Sequence, residues 1–441
     1  MKHEMLTTAA ALALVALAEA ATPEISNVGM EQDDVTRLVT ITYTLANGPG
    51  VVTAEILTNA AVAAEGVSIG DRYVWNMEGA VNRVVEDGPH TITWQPDQSW
   101  PDQRIWNASV RARLTAWAMD MPPPYMVADL LTSSNVTYYA SEEGLPGGLH
   151  ENPVYKTSKI VLKRIDSAGV TYTTGTSAEL GRTASREGQH DVAFTDNFYI
   201  GVFEVTRGQW AQFNAARSNG FDTESAYRPM ANMSYTQVRW NSMTQEWCNE
   251  GTTYDYPKPP KVNSFLGQLR TKTGLDFDLP SEVQWEYAAR GGYGEGYWGD
   301  GSPITSTTSD PNLDKLERYV HNGGYPSESY PDNLGNTATN TWTSANGTAV
   351  VGSYKPNGYG LYDMGGNVRE FVLDFWANPN TSVHGEAMST PGSSRLVITR
   401  GGCWHQDASS CRAAVRWECG GTSNEKSIDI GLRVCAPCAA K

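Results

Sequence analysis

Three Ser/Thr-x-x-Gln boxes crowd into one part of the chain: Thr206/Gln209, Ser234/Gln237 and Ser281/Gln284. In each, the hydroxyl can accept from the N–H three residues on, while the glutamine reaches back to the cap's own N–H. Aromatic and small residues follow at helical spacing, Trp210 with Phe213, then Trp285 with Ala288 and Ala289. Gly220 stops the first of these helices and Gly291-Gly292 the last. The stretch NSFLGQLRTKTGL puts Leu266 and Leu269 on one face and ends at Gly274. Beyond Gly291 helix signals nearly vanish, and short turns and strands run to residue 438. A few capped helices within a long, loop-rich, aromatic-dense remainder predict an α+β domain rather than a doubly wound sheet. No GxxxxGKS/T stretch occurs, and the GxGxxG match at Gly294-Glu295-Gly296-Tyr297-Trp298-Gly299 follows a helix stop rather than joining a strand to a helix, so nucleotide binding has no support.

Residues 24–119 follow a different period. VTRLVTITYTL sets Val39, Ile41, Tyr43 and Leu45 against Leu38, Thr40, Thr42 and Thr44. HTITW (90–94) and ASVRARLTAWA (108–118) alternate too, the latter with Val110, Ala112, Leu114 and Ala116 on one face. Period-2 runs broken by Gly, Pro and Asp turns predict an immunoglobulin- or fibronectin-like β-sandwich over 24–119, with no catalytic cluster in it. Residues 120–157 are rich in Pro, Ser and Gly without long periodicity. They read as a linker with one short strand, and the second domain as 158–438. A fragment starting near Lys159 is then expected to fold alone, with proteolysis cutting the linker first.

The net charge of −16 and the absence of any basic run exclude nucleic acid as a partner. The start of the chain carries Lys2 and His3, an apolar run from Leu6 to Leu17, and Ala18-Glu19-Ala20, which fits a signal peptide spanning residues 1–20. The run is short for a membrane span, and no other segment reaches 18 apolar residues. Secretion, a periplasmic location or display at the cell surface follows. Export would place the six cysteines, at 248, 403, 411, 419, 435 and 438, where disulfides form. Five of them follow residue 402, so the C-terminal segment is the expected stapled region. Cys435-Ala436-Pro437-Cys438 has CxxC spacing, but no thioredoxin-like βαβ pattern precedes it, and it reads as structural.

Five stretches in order carry a resemblance: FYIGVFEVTRGQWAQF, RPMANMSYTQVRW, LPSEVQWEYAARGG, PNGYGLYDMGGNVREFVLDFW, and RLVITRGGCW with CRAAVRW and IGLRV. Together they resemble the formylglycine-generating enzyme family, also called the sulfatase-modifying-factor domain, across residues 159–435. The resemblance implies a variant of the C-type-lectin-like fold. The family includes oxidases that convert a sulfatase cysteine to formylglycine, parts of iron-dependent sulfoxide synthases, and non-catalytic binding proteins, so fold does not settle function.

The oxidases place a copper-binding cysteine pair, four residues between its members, just after a GGS-type turn, and two thiolates suit Cu(I). Here Cys403 and Cys411 have seven residues between them, and Ala408 stands where the second catalytic cysteine falls. No copper ligand carries over by position, although Cys403 and Cys411 remain candidates should they converge. An iron facial triad has little support: the histidines at 3, 90, 150, 190, 321, 384 and 405 are scattered and form no HxxxH pair.

Asp363 and Glu370 flank a Gly-Gly turn, hard carboxylates beside carbonyls that can aim inward, as calcium requires. The family's calcium site, carried over, uses the side chains of Asp363 and Glu370 and the carbonyls of Gly366 and Val368. A weaker second site starts at Asn312 and Leu313. Trp404, Arg412 and Arg416 match framework positions. Between and after them His405, Gln406, Asp407, Ser409, Ser410, Trp417 and Glu418 form a polar run with one aromatic face, which suits a sugar or a peptide. The leading expectation is an exported protein with calcium-stabilised recognition of a glycan or an exported protein, without redox chemistry. A copper oxidase acting on protein cysteine and a structural cell-surface component are the alternatives.

Overall fold

The computed structural model describes residues 22–58, 66–101, 110–133, 135–213, 226–239, 259–322, 347–376, 397–419 and 426–438. The segment read as a signal peptide and Cys248 lie outside them. Among the described residues, no helix is long and apolar enough to cross a membrane.

The alternation in the N-terminal third is realised as drawn. Strand Val39–Ala46 buries Val39, Ile41, Tyr43 and Leu45, and turns its threonines outward. It lies between Glu24–Gln32 and Gly88–Trp94 in an antiparallel sheet, with Ile41 opposite Ile92 and Val39 opposite Trp94. A second sheet is built on Gly50–Thr58, which pairs with Arg111–Trp117 so that Ile56 faces Ala112 and Ala54 faces Leu114. Both sheets contribute to one cluster containing Ile41, Ile56, Ile92 and Trp94, with Ala112, Leu114 and Ala116 packed against it.

The expected linker is not a linker. Tyr125–Asp129 and Val136–Tyr139 are strands in a five-stranded sheet with Lys159–Ile165, Phe198–Gly201 and Cys435–Pro437. Val127 pairs with Val161 and Tyr125 with Lys163. Tyr125, Val127, Leu145, Leu149 and Tyr155 share a buried cluster with Val161, Phe203 and Tyr362. The sheets of the N-terminal third are also tied in. Val51 is fully buried in the cluster that holds Tyr138 and Trp210, Trp117 packs on it, and the Tyr138 N–H donates to the Asn82 carbonyl at 2.8 Å. A fragment starting at Lys159 would lose two strands and expose the edge of a third.

The helices follow their caps. At Thr206, Ser234 and Ser281 both bonds of the box are present, each cap contributing about 1 kcal/mol. Phe265–Thr273 ends at left-handed Gly274, and Glu282–Arg290 ends at left-handed Gly291. The latter helix buries Trp285 completely, against Phe198, Val372 and Ile398, a burial that stabilises by about 3 kcal/mol. Trp285 rests on the last sheet, ordered Arg416–Cys419, Val397–Arg400, Arg369–Phe375, Ile430–Leu432. The final pair is parallel, with Arg369 opposite Ile430.

Candidate functional site

Strand Val397–Arg400 is followed by Gly401 and Gly402, at φ of 97° and 70°. A Cβ on Gly402 would lie 2.6 Å from the Ser410 carbonyl oxygen, and one on Gly401 2.9 Å from the Trp285 ring. Only glycine lets the chain reverse here, and the reversal delivers Cys403 and Trp404 into the interior, both buried. The Trp404 N–H donates to the Asn367 carbonyl at 2.9 Å. From the neighbouring parallel pair comes Asp429, whose carbonyl accepts the Arg369 N–H at 2.8 Å.

Four side chains converge on the Asp429 carboxylate. Arg369 Nη2 donates to Oδ2 at 2.7 Å, His405 Nε2 lies 3.2 Å and Cys403 Sγ 3.7 Å from the same oxygen, and Ser427 Oγ donates to Oδ1. Cys403 Sγ also lies 3.2 Å from Gln406 Oε1. Burial alone would raise the Asp429 carboxyl, but Arg369 and His405 outweigh it and hold the group well below the ordinary carboxylate range. Burial, reinforced by the charge of Asp429, pushes the Cys403 thiol well up. One ligand atom each from Cys403, His405 and Asp429 lie within 4.8 Å of one another, an arrangement that could hold a metal ion.

The seven residues expected to form one recognition loop are divided. His405 and Gln406 sit beside Cys403. Asp407 is exposed and pairs with His321 at 2.8 Å. Ser409 and Ser410 ride a short turn, Ala408–Cys411, pinned by backbone bonds to Thr307 and Asp407. Trp417 is half-buried on strand Arg416–Cys419, with the Arg369 guanidinium 5.9 Å from its ring. Glu418 points outward to Arg186 at 3.2 Å. Asp429 and Arg369 were not expected at the site; the signal available was an acid inside the apolar run Ile428-Asp429-Ile430. The framework expectation fits the contacts: Arg412 is buried between Glu179 and Glu187 at 2.7 and 2.8 Å, and Arg416 pairs with Glu282 at 2.5 Å.

Ala408, at the place of the oxidases' second cysteine, is fully buried with Trp298, Leu313, Leu316, Tyr319 and Cys411. Burial, then the charge of Glu317, pushes the Cys411 thiol well up. Ala408 supplies no thiolate at the oxidases' second position; Cys411 does approach Cys403, close enough for its thiol to hydrogen-bond the Cys403 backbone. The disulfide expectation is corrected too: no disulfide joins any of the five described cysteines, all of which are buried among packed side chains. Cys435 packs with Trp285 and Phe198, while Cys438 packs in a different cluster with Tyr138 and Tyr199. Successive side chains of an extended strand point to opposite faces, so residues three apart are turned away from each other.

The Asp363 turn lies close by. Asp363 is fully buried at φ 57°; its Oδ2 accepts from the Gly352 N–H at 2.7 Å, and its Oδ1 has no protein partner. Glu370 does not stand open. Arg433 donates to it at 2.7 and 3.0 Å, and Trp285 Nε1 at 2.6 Å. Two other acids complete the group. Glu317 is buried with Oε2 unpartnered, and Glu204 accepts from Asn367 Nδ2 at 2.7 Å and from the Val368 N–H at 3.1 Å. Burial, then repulsion among these carboxylates, raises Glu204 and Glu317 well above the ordinary range; burial lifts Asp363 to about 6. Two orphaned buried oxygens in an acidic pocket fit a hard cation. Asn312 and Leu313 show no such group: Leu313 is core, and Asn312 Nδ2 donates to the Pro303 carbonyl at 2.9 Å.

A sheet-bound Gly-Gly turn, capped helices and a C-terminal strand that returns to the first sheet define an α+β domain. The model of the sulfatase-modifying factor enzyme 1-like domain matches residues 162–437, and the chain belongs to that family. It is 27% identical over 259 residues to the chaperone protein LppX of Paenibacillus barcinonensis, covering 54% of this chain and 79% of that one. It is 30% identical over 191 residues to a formylglycine-generating enzyme of Thermomonospora curvata, covering 41% of this chain and 57% of that one. The chain thus spans little more than half the length of that enzyme. Variable protein 1 of Treponema denticola aligns over 63% of this chain and 95% of its own, with 21% identity and a TM-score of 0.44.

Proposed function

We propose that this chain is an exported recognition protein of the family that binds a glycan or a protein ligand and does not oxidise cysteine. The observation that carries the reading is Ala408: a fully buried methyl group in an apolar cluster replaces the second thiolate of the copper pair. Cys403 has a histidine, an amide and a carboxylate around it as well as Cys411, and burial pushes both thiols well up, which works against a two-thiolate Cu(I) site. The exposed rim, Asp407, Ser409, Ser410, Trp417 and Glu418, supplies hydrogen-bonding groups and one half-buried aromatic face.

Calcium supports the frame in this reading. Asp363 and Glu317 offer the unpartnered oxygens, Glu204 lies in the same acidic group, and the Gly366 and Val368 carbonyls complete the set that the family implies. Glu370, committed to Arg433 and Trp285, positions the strand rather than the ion. Bound calcium would supply the charge that offsets these buried acids.

The test uses the purified, reduced full chain, copper and a sulfatase-type cysteine peptide under oxygen. No formylglycine product is expected, from the parent or from Cys403→Ser. Alanine at Asp407 and Trp417 should abolish binding found on glycan or protein arrays while leaving the fold intact. Peptide turnover that depends on Cys403 or Cys411 would overturn the reading and establish the oxidase.

A further inference from the structure

We propose that Cys403, His405 and Asp429, with Gln406 as a fourth donor, form a mixed sulfur–nitrogen–oxygen site for a borderline divalent ion of the zinc class. The proposal rests on neither the calcium pocket nor the identity of the recognised ligand.

Geometry carries it. Zinc binds thiolate at about 2.3 Å, imidazole at about 2.0–2.1 Å and carboxylate at about 2.0–2.2 Å in a tetrahedron. Such a tetrahedron has ligand-to-ligand edges of roughly 3.4–3.6 Å. Here Cys403 Sγ lies 3.7 Å from Asp429 Oδ2 and 3.2 Å from Gln406 Oε1, and His405 Nε2 lies 3.2 Å from Asp429 Oδ2. These three spans are within a few tenths of an ångström of those edges, and the Cys403, His405 and Asp429 ligand atoms all lie within 4.8 Å of one another, so a bound ion would draw Cys403 and His405 closer. The single Cys403 thiol proton, shared between Gln406 and Asp429, and the Nε2 proton of the His405 tautomer that faces Asp429 now bridge these groups, and a metal would replace them.

The ligands are also held in place. The Gly401-Gly402 reversal fixes Cys403. The Gln406 N–H donates to the Cys403 carbonyl at 3.0 Å, closing a tight turn that puts residues 403, 405 and 406 around one point. Trp404 abuts the His405 ring edge-on, with centroids 4.8 Å apart. Ser427 holds Asp429 Oδ1, and Arg369 holds Oδ2 at 2.7 Å. Such outer partners orient metal ligands and tune them. The Arg369 charge sets a limit: it offsets the carboxylate, so the site needs the Cys403 thiolate to attract a dication. A site with one thiolate, one imidazole and one carboxylate suits zinc or cobalt rather than the all-oxygen preference of calcium. Gln406, a neutral amide, is the weakest donor of the four and the one an incoming ligand would displace.

Cobalt is the probe. Reduced, chelator-stripped full chain is titrated with Co2+ in excess Ca2+. One equivalent should produce a thiolate-to-cobalt charge-transfer band and the visible bands of a four-coordinate ion, and one equivalent of Zn2+ should bleach both. Cys403→Ser should lose the charge-transfer band. Asp429→Asn and His405→Ala should each weaken Co2+ binding by at least about tenfold. Cys411→Ser and Cys438→Ser should leave the spectrum unchanged. His405 sits at the edge of the site, so His405→Ala, checked by circular dichroism, keeps the test decisive if Cys403→Ser does not fold. Absence of a band in the parent, or a band that survives Cys403→Ser or requires Cys411, would overturn the site. Loss of glycan or protein binding without a change in the cobalt spectrum would bear only on the recognition reading.

Discussion

Two buried charged centres lie on either side of the Trp285 ring, and they are built to opposite rules. Around Glu286 both carboxylate oxygens are answered, and among the described residues the one polar atom left without a hydrogen bond is Arg400 Nε, on the cation's side. Arg400 donates at 2.5 Å, Arg290 at 3.3 Å, the Thr174 hydroxyl at 2.6 Å and the Gly175 N–H at 2.9 Å. Around Asp363 acids outnumber their partners, and Asp363 Oδ1 and Glu317 Oε2 have none. The pKa directions record the contrast. Burial would raise Glu286, but Arg400 and Arg290 bring it down to about 2, whereas Asp363 is lifted to about 6. A closed network stabilises by itself; an open one stabilises only when something from solution closes it.

The sharpest way to break this comparison is to remove one acid from each centre. Glu286→Ala takes the shared carboxylate from two buried guanidiniums, leaving Arg290 with Glu179 at 3.0 Å and Arg400 with Glu282 at 3.6 Å, and should cost about 3–5 kcal/mol, with or without calcium, as read from urea denaturation midpoints. Glu317→Gln should do the reverse in calcium-free buffer. Easing the repulsion should hold or raise stability, while the response to calcium shrinks. Equal destabilisation by both variants would show the two centres to be alike.

Calcium itself comes next. At about a hundred times its dissociation constant it should add about 3 kcal/mol, seen as a higher melting temperature that a chelator reverses. Asp363→Ala should abolish that response. An unchanged melting curve with chelator would remove the ion from the frame.

Acid titration sharpens the closed side. The Glu286 carboxyl is lowered in the folded state relative to its ordinary value of 4.5. Its contribution is therefore fully present above about 4.5 and is lost as pH falls toward about 2. Glu286→Gln should flatten the parent's loss of stability in that window, measured by denaturant midpoints at stepped pH. The smallest effect belongs to the rim. Glu418→Ala breaks an exposed pair with Arg186 and should change stability by less than about 1 kcal/mol. A larger loss would make the rim part of the frame.

Much of the scaffold could be read from local chemistry. Caps at Thr206, Ser234 and Ser281 are written within four residues each, and the threonine alternation of Val39–Ala46 announces a half-buried strand. The strands at 125–129 and 136–139 escaped because Tyr125–Asp129 is short and buried almost throughout, so no alternation marks it. The acidic centre was half visible. Asp363 and Glu370 stand in one motif, but Glu204 and Glu317 come from other parts of the chain. Glu370, the better-looking ligand, is claimed by Arg433, 63 positions away. At the Cys403 site the loop supplied three donors within four residues, and the fourth came from the turn just before strand Ile430–Leu432, whose parallel pairing no local pattern specifies.

That strand and its neighbour bear on how the chain is made. Ile430–Leu432 completes one sheet, and Cys435–Pro437 adds the edge strand of another, beside Phe198–Gly201. Synthesis runs from the other end, so both sheets must wait, unfinished, for residues 430–437 to leave the ribosome. Until then Phe198–Gly201 and Arg369–Phe375 each present a bare ladder of hydrogen-bonding groups. A nascent chain of this design is most exposed to mispairing just before residues 430–437 emerge, and deleting them would arrest it there.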